Sequence, residues 1–130
     1  MRKPVTLISP DTSVRAAAAL MRELQIGALP VCKNLYPIGI VTDRDIVTRW
    51  ACRMVSDCAI AQIMTRNVIT CNLDQTIECA AHVMSDAQIR RLVVVDNMGR
   101  AVGILTLGDI ANDANEVLAG QTLGEIVELR

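Results

Sequence analysis

Apolar positions along the 130-residue chain change period several times and then begin the same pattern again. Val14, Ala17, Ala18, Met21 and Leu24 recur at the three- and four-residue spacing of one helix face, and Ile77, Ala80, Ala81 and Met84 repeat it later. Short apolar runs at 5–8 and 68–71 predict extended segments ahead of these helices, with Asp11 or Thr12, and Asp74 or Thr76, as N-caps. Gly27 is the expected stop of the first helix. Residues 29–32 with 38–41, and 92–95 with 101–105, predict paired strands around turns that carry Asn34 and Pro37, or Asn97 and Gly99. A last helix is predicted to begin near Thr42 and again near Thr106.

The two halves therefore share one order, β-α-β-β-α, and they share residues as well. Val5, Asp11, Ala17, Ala18, Met21, Gln25 and Ile26 are matched sixty-three positions later by Val68, Asp74, Ala80, Ala81, Met84, Gln88 and Ile89. The register then slips by one, so that Gly39, Ile40, Thr42, Asp45 and Ile46 match Gly103, Ile104, Thr106, Asp109 and Ile110. A loop after Asn34 that is one residue shorter than the loop after Asn97 absorbs the slip. Ile60-Ala61-Gln62-Ile63 is echoed by Leu123-Gly124-Glu125-Ile126, so the C-terminal segment completes the second copy as the linker completes the first. The expected organisation is an α/β (α+β) fold divided into 1–57 and 58–130, with two repeats related by a pseudo-twofold axis. A repeat of this size buries too little surface alone, so the two sheets are expected to pack into one body.

Composition narrows the function classes. Hydrophobic residues make up 52% and charged residues 21%, a globular balance rather than a disordered one. Thirteen basic against fourteen acidic side chains leave a net charge of -1, with no basic stripe for a phosphate backbone. One Trp, one Tyr and no Phe offer single strands no stacking platform. Nucleic acid is thus excluded as a partner. No apolar run approaches a membrane span, Pro10 and Asp11 break up any leader-like stretch, and the chain is read as cytoplasmic. Cys32, Cys52, Cys58, Cys71 and Cys79 form an odd set with no Cys-x-x-Cys pair, and are read as buried or half-buried free thiols rather than metal ligands. His82, the single histidine, lies between Glu78 and Asp86 at helical spacing and is read as solvated. With that histidine and no P-loop, nothing supports an enzyme or a catalytic residue.

The chemistry concentrates in Gly39-Ile40-Val41-Thr42-Asp43-Arg44-Asp45 and Gly103-Ile104-Leu105-Thr106-Leu107-Gly108-Asp109. Each puts Thr-x-x-Asp where an apolar strand becomes a helix. Such a pair reads as a capping box, in which hydroxyl and carboxylate satisfy free backbone N–H groups. The same physics also allows a nucleotide grip, because a helix start suits a phosphate and a nearby carboxylate accepts from ribose hydroxyls. Arg44 is either a phosphate partner through its planar fork or an exposed helix charge.

The duplicated Gly-x-x-Thr-x-x-Asp, the strands Ala28-Leu29-Pro30-Val31 and Arg91-Leu92-Val93-Val94, and the segments Pro4-Val5-Thr6 and Asn67-Val68-Ile69-Thr70 together resemble the CBS domain family, named after cystathionine β-synthase, over nearly the whole chain. The resemblance is to small proteins made only of a CBS pair, or Bateman module. It implies a non-catalytic regulatory sensor that binds AMP, ADP, ATP or a related adenosyl ligand in the cleft between repeats and requires no cofactor. The alternative is a structural or protein-interaction CBS dimer without nucleotide. By the resemblance, Asp45 and Asp109 hold ribose hydroxyls, with Thr42 and Thr106 beside ribose and phosphates. Adenine lies against Val5, Thr6, Ala28 and Leu29 in one copy and Ile69, Thr70, Leu92 and Val93 in the other. The copies differ, since Gly108 stands at the place of Arg44 and Arg91 at that of Ala28. The resemblance also implies a homodimer and an effector protein as partners.

Overall fold

The computed structural model describes residues 6–53 and 56–108. The chain divides into two compact units, Thr6–Val68 and a second one whose described residues are 69–108.

In the first unit, helix α1 spans Val14–Leu24 and places Val14, Ala17 and Met21 on its buried face. Its N-cap is Ser13, neither Asp11 nor Thr12: the Ser13 hydroxyl accepts from the Ala16 N–H at 3.1 Å. Residues 9–12 are already committed to a turn, with the Asp11 N–H on Ser9 Oγ and the Thr12 N–H on the Ser9 carbonyl, so the chain enters the helix one residue later. The helix also stops before Gly27. Gln25 takes the left-handed conformation at φ 54°, and the Ile26 N–H returns to the Met21 carbonyl at 3.0 Å. Gly27 has a different task, accepting from the Asp43 N–H at 3.0 Å.

Strand β1, Ala28–Lys33, pairs antiparallel with β2, Tyr36–Thr42, from Ala28↔Thr42 to Lys33↔Tyr36. Asn34 and Leu35 make the turn, both at positive φ (52° and 72°), the conformation that matches the twist of a two-residue hairpin. The register slips between Val31 and Cys32, and Pro37, which has no N–H to give the ladder, sits opposite Cys32 at that bulge. Short pairings extend the hairpin on both sides. Ile8 bridges Val31 in parallel, and Ile40 exchanges both backbone bonds with Thr65 at 3.0 and 2.9 Å. Residues 58–68, which the sequence division counts with the second copy, are thus bonded into the first unit. Ile60, Ile63 and Met64 join Val14, Ala17, Met21, Leu29, Val31 and Val41 in its core.

The second unit repeats the plan. Strand β3, Thr70–Asn72, runs parallel to β4, Arg91–Val95, which pairs antiparallel with β5, Ala101–Thr106, in the order β3-β4-β5. Helix α3, Ile77–Ala87, is capped by Thr76, whose hydroxyl accepts from the Cys79 N–H at 3.1 Å, and ends at left-handed Gln88. The Cys71↔Val94 pair corresponds to Ile8↔Val31, and the Leu107 N–H bonds the Arg90 carbonyl as the Asp43 N–H bonds that of Gly27. Cys71, Ile77, Ala80, Met84, Leu92, Val94 and Leu105 form the core. The β4–β5 turn is built by Asp96, which accepts from the Met98 and Arg100 N–H groups and from Arg100 Nε at 2.8 Å. These bonds, the Arg100 N–H first, hold its carboxyl below the usual carboxylate range.

The motif glycine of the first copy has a packing reason. A Cβ on Gly39 would stand 2.7 Å from Met64 Sδ and 2.9 Å from the Thr65 carbonyl oxygen, and the latter is backbone that is itself bonded to β2. At Gly108 the nearest atom to such a Cβ, Thr106 Oγ1, is 3.8 Å away. Gly39→Ala is therefore expected to cost about 1–3 kcal/mol in urea unfolding, the usual range for overpacking, and Gly108→Ala close to nothing. Equal midpoints for Gly39→Ala and the parent would contradict the close approach.

Candidate functional site

Thr42 is the last residue of β2, in extended conformation at φ -117° and ψ 162°, and the chain turns from it into helix α2, Asp43–Asp45. A π-helical turn, Ile46–Trp50, and a 3-10 turn, Ala51–Arg53, continue the helical path without a break. Thr42 Oγ1 accepts from the Asp45 N–H at 3.1 Å, and Asp45 Oδ2 accepts from the Thr42 N–H at 3.1 Å. Two backbone donors that the helix start leaves free are satisfied reciprocally.

Asp45 is 8% exposed, the one buried charged residue among those described. An ionised carboxylate removed from water needs partners, and its two oxygens offer about four acceptor positions. Oδ2 has one hydrogen bond. Oδ1 faces Arg49 Nε at 3.6 Å, an ion pair beyond hydrogen-bond distance. Acceptor capacity therefore remains at the junction of strand and helix, where two adjacent hydroxyls would supply the missing donors.

The remaining residues singled out by sequence fall around the two strand ends. Ala28 is the cross-strand partner of Thr42, and Leu29 that of Val41. Both Ala28 and Leu29 are buried, Leu29 completely. Thr6 is half-buried two residues before the Ile8 bridge. Arg44 is exposed and takes part in neither ion pair of the described residues, while its N–H donates to Asp43 Oδ1 at 2.8 Å. In the second unit, Arg91 lies opposite Thr106 and Thr70 opposite Val93, and the Val93 N–H bonds the Ile69 carbonyl at 3.1 Å. Leu92 and Val93 are buried, Ile69, Arg91 and Thr106 half-buried, and Thr70 exposed. Val5 and Asp109 lie outside the described residues.

Sequence reasoning passed over Arg49, although its four-residue spacing from Asp45 was a usable signal for an ion pair. It also read every cysteine as buried or half-buried. Cys32 and Cys71 are buried, and burial pushes both thiols up, but Cys52 and Cys79 are exposed and Cys58 is half-buried. Cys52 follows the polar side of its helical path, its thiol on the Thr48 carbonyl. His82 is exposed. Among the described residues no three His, Cys, Asp or Glu side chains gather as metal ligands, and no helix is long and apolar enough to cross a membrane.

The chain is similar to known proteins over most of its length. A family model described as the CBS domain matches residues 1–51 and 60–115. The chain is 34% identical over 128 residues to the CBS domain-containing protein YhcV of Bacillus subtilis, covering 97% of this chain and 91% of that one. Other relatives are longer, and the chain spans 28% of one and 21% of another. Among solved structures, the CBS domain pair of protein MJ0100, in complex with 5′-methylthioadenosine and S-adenosyl-L-methionine, superimposes with a TM-score of 0.73 at 33% identity, covering 86% of this chain and 89% of that one. CBSX2 in complex with AMP gives a TM-score of 0.68 at 28% identity, with 83% and 85% covered.

Two outcomes follow from the local geometry. Thr42→Ala removes the hydroxyl arm of the cap and is expected to cost about 1 kcal/mol of stability in denaturant unfolding, whereas Thr42→Ser, which keeps it, restores most of that. In thiol titration of the folded protein, Cys52 and Cys79 should react first, with Cys32 and Cys71 silent until denaturant is added. Five silent thiols in the folded state would contradict the exposure of Cys52 and Cys79.

Proposed function

The chain belongs to the CBS domain family, and from that premise we propose that it is a non-catalytic regulatory module that binds an adenine nucleotide or related adenosyl ligand. The observation that carries this reading is the buried, incompletely partnered carboxylate of Asp45 at the strand-to-helix junction. In the proposed complex Asp45 accepts from the ribose diol, Thr42 lies beside the sugar and phosphate, and the exposed Arg44 meets the phosphate. The backbone at Thr6, Ala28 and Leu29 borders the adenine. Thr106, Asp109, Arg91, Ile69, Thr70, Leu92 and Val93 are the matching residues of the second copy, with Val5 completing the first. The support from similar proteins is that two of them hold adenosyl compounds, S-adenosyl-L-methionine with 5′-methylthioadenosine in one and AMP in the other.

Regulation in this reading needs no reaction. A ligand that prefers one arrangement of the module, or of a homodimer built from it, shifts the population toward that arrangement by its difference in affinity, and an effector protein reads the change. The competing reading, a structural CBS dimer without nucleotide, draws on the capping box itself, because Thr42 and Asp45 already satisfy each other's backbone.

Melting in the presence of AMP, ADP, ATP, S-adenosyl-L-methionine and 5′-methylthioadenosine separates the two. A ligand that binds only the folded state raises the midpoint, by an amount equivalent to about 2.7 kcal/mol at a hundredfold excess over Kd. Asp45→Asn keeps an acceptor for the Thr42 N–H but removes the charge, and is expected to weaken the best ligand by about 1–3 kcal/mol. No shift with any of the five would establish the structural reading instead.

A further inference from the structure

We propose that Arg49 is a positioning residue for the sugar grip, setting the plane of the Asp45 carboxylate by anchoring itself to residues 63 and 64; the inference rests on the nucleotide reading above. The carboxylate is held from two sides. Oδ2 is fixed by the Thr42 N–H at 3.1 Å, and Oδ1 faces Arg49 Nε at 3.6 Å. Arg49 is in turn not free to follow the carboxylate. Its Nη1 donates to the Ile63 carbonyl at 3.3 Å and comes within 3.5 Å of the Met64 carbonyl. Those carbonyls belong to the segment whose Ile63 and Met64 side chains enter the core and whose Thr65 is paired to Ile40 of β2. A guanidinium is planar, so fixing Nη1 on a rigid carbonyl also fixes where Nε points.

Energy alone does not explain this arrangement. The Arg49 side chain is 49% exposed, and a half-exposed pair at helical spacing contributes little to stability. What the contact supplies is direction. A carboxylate that must accept from two neighbouring hydroxyls has to present its plane to both, and free rotation about its last bond would cost that match. The π-helical turn at Ile46–Trp50 starts directly after Asp45 and contains Arg49, so it is the stretch of helix that determines how Arg49 overlies Asp45. The sequence does not repeat this basic residue in the second copy: sixty-four positions after Arg49 stands Asp113.

The test is calorimetry of the full chain carrying Asp109→Asn, so that the first copy is read alone, with AMP and with the dideoxy analogue that lacks both ribose hydroxyls. Arg49→Met should weaken AMP roughly threefold to tenfold, the coupling expected of contacting charged residues, and leave the dideoxy analogue unchanged. With Asp45→Asn added, no further loss from Arg49→Met is expected, since Arg49 acts through Asp45. Arg49→Lys, which keeps a charge without the planar fork, should fall between, and it replaces the methionine variant if that one does not fold. Equal weakening of both ligands would reveal a merely structural contact and overturn the inference while the nucleotide reading stands. If the parent binds AMP and its dideoxy analogue equally, or binds neither, the sugar grip itself fails and Arg49 has nothing to position.

Discussion

A carboxylate with almost no exposure to water sits at the point where a strand turns into a helix, and its reciprocal bonds with Thr42 make that possible. Burying an unpaired carboxylate is costly, and here the Thr42 N–H on one oxygen and the Arg49 guanidinium facing the other offset that cost. The same pair fixes the direction of the helical path. From there the chain carries Ile46 into the core and brings Arg49 back over the carboxylate. Local satisfaction of a helix end and burial of a carboxylate with acceptor capacity to spare are therefore two results of one geometry.

Among the described residues the duplication repeats backbone arrangements rather than identical side chains. Gln25 and Gln88 both adopt the left-handed helix stop, although glycine would do so without strain. Asp43 and Leu107 have nothing chemical in common, yet their N–H groups bond the carbonyls of Gly27 and Arg90 in the same manner. The units diverge at their hairpin tips. Asn34 and Leu35 close a two-residue turn with no side-chain help, while Asp96 organises a longer one by accepting three hydrogen bonds. The one-residue slip between the copies is this difference in turn construction.

Membership of the CBS domain family covers both copies of the repeat. The relation between the copies is also where specificity would originate. The first carries Arg44 and Arg49 on the path after the motif; the second carries Gly108 and Asp113 there and has Arg91 on its strand instead. In the proposed nucleotide complex, such opposite placement of positive charge would keep the two copies from treating a mono-, di- or triphosphate alike.

How much of this was legible beforehand depends on the range of the interaction concerned. Helix faces, strands and the repeat were readable because Val14, Ala17 and Met21, or Leu29 and Val31, report burial through spacing alone, and the Thr42–Asp45 cap spans only three residues. Ser13 as N-cap was not, since the choice among Asp11, Thr12 and Ser13 depends on a turn in which Ser9 has already taken the competing N–H groups. Neither was the exposure of Cys52 and Cys79, because cysteine is apolar enough for either side of a helix. The sequence by itself determined the described elements, their duplication and the Thr42–Asp45 pair at the first strand-to-helix junction, all of which follow from periodicity and short-range hydrogen bonding. Only the tertiary structure decided that residues 60–65 return against β2, that Gly39 must therefore lack a side chain, and that Arg49 reaches both Asp45 and the Ile63 carbonyl. Those contacts join residues distant along the chain, and their geometry exists only once the core has brought the segments together.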